Sequence, residues 1–240
     1  MFRRESDQFV QVFVGPEVRP EDDPDVDPER KQQRFQLMKC HVWERPYFND
    51  ALSGRNYFRL VGNNAWELEH PRLADIHPDD FKFVAEYLAG DDFGHRHPEG
   101  EEQVSETFAQ CISAWRAAEL LSMGDLLDHI VEKLRATRED WDLYNVMAFA
   151  CTLYQTSDYQ LEAHEMMKDL LTTYIAEYFF IYFDADDLRT EFSDRLKQSS
   201  DFRRDVMIKV AIPPERQQNY APAEDGQADD ESDDDMELYN

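Results

Sequence analysis

Positive charge is what this 240-residue chain most lacks: 25 Lys and Arg stand against 52 Asp and Glu, a formal net charge of −27. Such a surface repels phosphate backbones and anionic lipid headgroups alike, so direct binding to nucleic acid or to an acidic membrane is disfavoured. Cysteine is also sparse. Cys40, Cys111 and Cys151 are widely spaced and form neither a CxxC pair nor a zinc-ligand pattern. Each sits in an apolar-rich stretch, so three buried thiols in a reducing compartment are expected. No apolar run approaches the ~18 residues of a membrane span, and the richest, Tyr174 to Phe183, is interrupted by Glu177. The opening MFRRESDQFV has no apolar core of the kind a secretory signal needs. An intracellular protein, cytoplasmic or nuclear, is the expectation. GxGxxG, P-loop, GxSxG and HExxH patterns are missing too, which leaves nucleotide and hydrolase chemistry without support.

The remaining candidates for chemistry have plainer readings. His95-Arg96-His97 lies in a loop-forming stretch with only Glu99, Glu101 and Glu102 nearby, poor material for a metal site. Cys111 falls beside the apolar face of a helical pattern and reads as a packed thiol rather than a nucleophile. Glu67, Glu69, Asp75, Asp79 and Asp80 cluster, but with 52 acids in the chain clustering is expected by chance. Met123, Met147, Met166, Met167 and Met207 read as core filling before they read as an adaptable groove. No catalytic residue, metal or cofactor is therefore assigned.

What is present is a core's worth of apolar residues, 42% of the chain, with 13% aromatic. Phe9 to Val14, FVQVFV, is a strand pattern ended by Gly15. GPEVRPEDDPDVDPERKQQ follows, with Pro16, Pro20, Pro24 and Pro28 and seven acids before Lys31, and reads as an acidic exposed loop over 15–33. Arg34 to Met38 resumes a strand. A helix is expected through His41–Glu44, a break near Pro46, and a second helical turn carrying Tyr47, Phe48, Ala51 and Leu52. Phe58–Leu60 and Ala65–Leu68 flank the turn signal Gly62-Asn63-Asn64 and read as a strand pair.

LADIHPDDFKFVAEYL comes next, with Pro78 suited to a first helical position, Asp79 and Asp80 at the positive end of the dipole, and Phe81, Val84, Ala85 and Leu88 on one face. This helix is expected to be the hub of the domain. Further helices are read at Glu101–Leu121, Asp125–Leu134, Asp140–Tyr154 and Tyr159–Phe183, the last bent or double. Asp184 and then Ser200 or Asp201 are expected to cap two more, the second burying Phe202, Val206, Met207 and Val210 before Pro213-Pro214 stops it. From Ala221 to Asn240 there are nine acids and no Lys or Arg, a composition expected to stay disordered.

In order and in residues, this resembles a BTB/POZ domain. VQVFVG (Val10–Gly15) resembles the family's opening strand. Pro46-Tyr47-Phe48 with Ala51-Leu52-Ser53-Gly54 resembles its SPxF…ALxG stretch. LADIHPDDFKFVAEYL resembles the L-x-D-x-P-x-x-F…Y-L segment, and Ala117, Leu120 and GDLLDHIVEKL resemble the closing hairpin. The acidic insertion and helical C-terminal third are similar to those of divergent BTB-like proteins abundant in filamentous fungi. There are departures: Leu37-Met38-Lys39 replaces V-H-K, and Tyr87-Leu88-Ala89-Gly90 keeps the later Y-x-Y/T-G only in part.

The resemblance implies an α+β, mostly helical fold, with short strands on a cluster of helical hairpins. Its expected divisions are a flexible 1–8, a BTB/POZ-like domain over 9–136, a helical extension over 137–212 and a disordered acidic tail over 213–240. It implies a non-enzymatic protein–protein interaction module that self-associates or scaffolds a complex. A homodimer interface would then draw on Val10, Val12, Val14, His41, Val42, Tyr47 and Phe48. The alternative is a substrate adaptor for a cullin-based ubiquitin ligase, with a cullin-facing surface at Trp66, Glu67 and Tyr87, although no kelch or MATH substrate domain is visible. An unrecognised enzyme is the remote third reading.

Overall fold

The computed structural model describes residues 8–17, 32–50, 52–62, 65–155 and 161–211. Its sheet is built around β1 (Phe9–Val14), whose alternation puts Val10, Val12 and Val14 at 0% exposure. β2 (Gln33–Met38) pairs antiparallel with β1, from Phe9↔Met38 to Val14↔Gln33. The acidic loop is thus one residue shorter than expected, and residues 18–31 lie outside the described ones. On the other side of β1 runs β6 (Ala65–Leu68), parallel to it, with Val10↔Trp66 and Val12↔Leu68. β5 (Phe58–Val61) closes the sheet by pairing antiparallel with β6, giving the order β2-β1-β6-β5. The hairpin expected around Gly62 is present, while Asn63 and Asn64 are outside the described residues. Branched residues on the inner face of β1 suit a central strand covered on that face.

The segment after β2 differs from expectation. α1 (Lys39–Val42) is a single turn, and no helix carries Tyr47 to Leu52. Instead β3 (Asn49–Asp50) and β4 (Arg55–Asn56) form a two-residue ladder. Pro46 removes a donor, and short polar side chains then compete for the backbone. Asn49 Nδ2 donates to the Trp43 carbonyl at 3.0 Å, and Asp50 Oδ1 accepts from the N–H groups of Leu52 and Ser53 at 3.1 and 3.3 Å. Gly54 turns the chain at φ +73°. Leu52, placed on an apolar face by sequence, is fully exposed at the ladder's tip, and Ala51 is outside the described residues.

α2 (Pro78–Gly90) starts as read, with Pro78 first and the His77 ring accepting from the Asp79 N–H at 3.3 Å. Phe81, Val84 and Leu88 are buried and Ala85 half-buried. Phe81 meets Phe35 of β2 edge-on at 5.0 Å, joining helix to sheet. Yet α2 is not the hub. α3 (Gly100–Leu121) packs against α2, α4 (Gly124–Ala136) and α5 (Leu143–Gln155), and buries Val104, Phe108, Cys111, Ala114, Trp115, Ala118 and Leu121 around its circumference. Full burial of each large apolar side chain contributes roughly 1.5–3 kcal/mol, and α3 buries Val104, Phe108, Trp115 and Leu121 between three neighbouring helices.

The stretch read as bent or double is two helices, α6 (Glu162–Glu177) and α7 (Phe179–Asp184). α8 (Asp186–Gln198) and α9 (Ser200–Ala211) follow, α9 lying on α6. Asp184 closes α7 rather than capping α8, whose cap position is Ala185, and the Ser199 hydroxyl accepts the Phe202 N–H at 3.2 Å to cap α9. Met207 is 46% exposed, contrary to its expected burial. Pro213-Pro214 falls outside the described residues. One hydrophobic core runs from Val10 to Val206, so α5–α9 share it with the sheet and α2–α4. Tyr174 and Tyr182 fasten this junction by donating to the carbonyls of Trp141 and Leu143 at 2.8 and 2.7 Å.

Candidate interaction surface

The sequence-expected interface residues divide by burial. Val10, Val12, Val14, Val42 and Phe48 are all at 0% exposure inside the chain's own core. Their side chains cannot anchor a partner copy, which corrects their assignment to an interface. Period-two geometry places Phe9, Gln11 and Phe13 on the opposite face of β1, where Phe9 is 47% exposed beside Met38 of β2. His41 and Tyr47 are half-buried.

Two clusters form around the α1 turn. In the first, Trp43 contacts Phe58 at 4.7 Å and Trp66 at 4.8 Å, and the Lys39 ammonium lies 4.2 and 4.4 Å from the two indole rings. Lys39 also donates to Gln8 Oε1 at 3.2 Å. The chain's own lysine thus occupies the aromatic cluster through a cation–π contact. In the second, Arg45 bridges Asp91 at 2.7 Å and Asp125 at 3.2 Å, and the Tyr87 hydroxyl reaches the same Asp125 carboxylate at 3.4 Å. Burial lowers the Arg45 pKa, but the hydrogen bond to Asp91 and the neighbouring carboxylates outweigh it, so the net shift is upward. Burial, reinforced by Asp125, pushes the Tyr87 phenol up to about 12 and the Tyr47 phenol higher still. The Tyr47 hydroxyl is buried with no hydrogen-bond partner among the described residues. These groups hold the α1 turn to the ends of α2 and α4.

Trp66, Glu67 and Tyr87 do not converge. Trp66 and Glu67 are neighbours on β6 and point to opposite faces of the sheet. Glu67 pairs with Arg59 at 2.8 Å, Trp66 packs on Trp43, and Tyr87 is buried in the Arg45 cluster. A single cullin-facing patch made of these three is therefore corrected. Arg45, Asp91, Asp125, Lys39 and Trp43 were not singled out from sequence. Their partners are 46 and 80 residues from Arg45, a separation that leaves no local pattern.

The acid–base and metal candidates also resolve into pairs. Arg59 binds both Glu67 and Glu69 at 2.8 Å, Arg72 holds Asp75 at 3.4 Å, and His95 meets Glu106 at 3.0 Å. Asp80 is shifted upward by burial, with Ser113 and Arg116 opposing the shift. A cleft of ≈ 360 Å³ beside Phe13 and Gly15 is lined by Glu17, Arg59, Glu67, Glu69 and His70, in which the arginine is already neutralised. Among the described residues no group of three or more His, Cys, Asp or Glu could hold a metal ion, and no helix is long and apolar enough to cross a membrane. Cys111 and Cys151 are buried, burial pushing their thiols up to about 12 and about 11, whereas Cys40 is exposed, correcting its expected burial. No protein-family model, curated protein or solved structure matches this chain.

Proposed function

We propose that this chain is a non-enzymatic protein–protein interaction module of BTB/POZ-like architecture, which self-associates or scaffolds a complex. The observation that carries the reading is the sheet topology. β1 is antiparallel to β2 and parallel to β6, with the α1 turn following β2, and β6 leads through a 3-10 turn at Leu73–Asp75 into α2 and the α3–α4 hairpin. The short strands, α2 and the closing α3–α4 hairpin keep the order the resemblance implies, while its first helical hairpin is reduced to the single turn of α1. The polar clusters add a second argument. The charged groups around Arg45 are tied to one another across elements, as structural fasteners are.

With the inner face of β1 consumed by the core, self-association falls to the outer face, around Phe9 and Met38. Light scattering of the full chain at ~10 μM, a concentration that populates micromolar complexes, is expected to give twice the 28.4 kDa chain mass. Phe9→Asp is expected to return it to the single-chain value without changing the circular dichroism. A wild-type chain that stays at 28.4 kDa would refute self-association. A doubled mass untouched by Phe9→Asp would refute this face.

A further inference from the structure

β2 is one of the sheet's two outer strands. The Lys39 N–H donates to the Gln8 carbonyl at 2.8 Å, and the register pairs Val10 with Leu37 and Val12 with Phe35. In an antiparallel ladder that parity points the backbone of Phe35 and Leu37 at β1 and turns that of Arg34, Gln36 and Met38 to the open side. The Met38 carbonyl is used at the start of α1, where Met38 is the N-cap residue. The backbone groups of Arg34 and Gln36 and the Met38 N–H have no backbone partner among the described residues. Such a row is the template for an added strand, which natural edges blunt with a proline or a bulge. β2 has neither, and its six pairs with β1 run unbroken. β5, the other outer strand, is four residues long, and Asn56 Oδ1 already takes its Phe58 N–H at 2.9 Å.

Charge decides what can approach this edge. A chain of net charge −27 repels its own copy over most of its surface. No acid occurs from Gln8 to Pro16 or from Lys31 to Trp43. The part of the outer face built by β1 and β2 is therefore free of carboxylates, and Arg34 is its one charged residue. The strand is also self-complementary. A two-fold axis at Gln36 lays β2 antiparallel to the same strand of a second copy, with Gln36 opposite Gln36 and Arg34 opposite Met38. The open backbone groups then pair with one another, and the two arginines are kept apart. The Gln11↔Gln36 pair continues across the axis into the same pair of the second copy, a row of amide side chains able to hydrogen-bond along the sheet.

We infer that two copies of this chain join edge to edge through β2, antiparallel, with Gln36 on the two-fold axis. The inference rests on the self-association proposed above and gives it a geometry. Phe9 backs Met38, the residue that meets the second copy's Arg34.

The test uses the full chain carrying Gln36→Lys or Gln36→Glu. The Gln36 side chain is exposed, so circular dichroism is expected to match the wild type. Each variant by itself places like charges opposite each other and is expected to fall from the doubled mass to 28.4 kDa in light scattering. An equal mixture of the two is expected to regain the doubled mass, because a residue on a two-fold axis meets itself. In the wild type, hydrogen exchange at the Gln36 amide is expected to slow about tenfold between a dilution that gives the single mass and a concentration at which nine-tenths of the chains are paired. The Leu37 amide, bonded to β1, is the control and is expected to hold steady. A doubled mass that Phe9→Asp abolishes and Gln36→Lys leaves intact overturns the β2 seam while the outer face stands. Unchanged Gln36 exchange in a doubled wild type also overturns it. Variants that dissociate and do not recover on mixing overturn the two-fold axis in favour of another strand of the second copy. A wild type that stays at 28.4 kDa overturns self-association and the seam together.

Discussion

Glu119 of α3 and His164 of α6 meet across the junction between the sheet-bearing half and the C-terminal helices. Their side chains are 12% and 1% exposed, and the carboxyl oxygen lies 2.8 Å from Nε2. Trp115 packs edge-on against the imidazole at 5.1 Å. Replacing His164 with Leu keeps most of the volume and strips the buried carboxyl of the imidazole. Breaking one side of such a pair costs about 3 kcal/mol, far more than the pair's net contribution. With a urea m-value near ~2.5 kcal/mol/M for a domain of this size, the midpoint falls by roughly 1 M. Glu119→Leu is expected to cost a similar amount. The double variant Glu119→Leu/His164→Leu is expected to recover most of the loss, because neither polar group is left alone in the core. Urea melts followed by both far-ultraviolet dichroism and tryptophan fluorescence check this. Coincident transitions are expected, since one core contains both halves. Single-variant losses below ~0.5 kcal/mol, within the range of an ordinary surface change, would refute the reasoning. So would a double variant equal to the sum of the singles.

Other expectations rest on separate contacts. Phe81→Ala, at 0% exposure between α2 and β2, is expected to cost about 3–5 kcal/mol through the cavity it leaves, read as a lowered urea midpoint. Leu52→Asp, at a fully exposed tip, is expected to stay within ~0.5 kcal/mol of wild type. Thiol titration of the native protein near pH 8 is expected to modify Cys40 alone, because burial holds the Cys111 and Cys151 thiols at about 12 and about 11. Rapid native labelling of Cys111, read by peptide mass spectrometry, would contradict its burial. Burial pushes Asp92 upward, but hydrogen bonds from Lys133 at 2.7 Å and His129 at 3.0 Å outweigh it and leave its pKa below the usual 3.8. A carboxyl whose folded pKa is depressed stabilises the fold above its unfolded pKa. That contribution is therefore lost as pH falls from about 4 through the folded value. Asp92→Asn is expected to flatten this acid limb in a pH series of thermal melts.

The helices were legible because their signals are local. Pro78, the two aspartates after it and the i, i+3, i+7 spacing of Phe81, Val84 and Leu88 fall within a few turns, and α2 begins where they place it. Local signals say less about rank. α2 carries the cleaner amphipathic stripe, but α3 is the helix that packs against α2, α4 and α5 together. Its burial on several sides spreads apolar residues around the helix and blurs the periodicity that announces a helix. The failure between Tyr47 and Leu52 has another cause. Aromatic and aliphatic spacing there fits a helical face, yet Pro46 and the side chains of Asn49 and Asp50 bind the backbone first. Local hydrogen bonding outweighs a short apolar pattern when only one turn is at stake.

Which face of β1 is inward was not legible in the sequence, and the reason is physical. In FVQVFV both phases of the alternation are nearly apolar, Val10, Val12 and Val14 in one and Phe9, Gln11 and Phe13 in the other. Period two reveals that a strand has two faces without saying which is inward. Branched valines between two paired strands fill the tight inner layer, and the larger, looser phenylalanines take the face that carries Gln11. Moving the candidate surface from the valines to Phe9 also changes what mutation would mean. Val12→Asp would place a carboxyl in the core and unfold the sheet, so a loss of dimer mass in that variant would say nothing about an interface. Phe9→Asp alters only the outer face, and a change in its molar mass reports association directly.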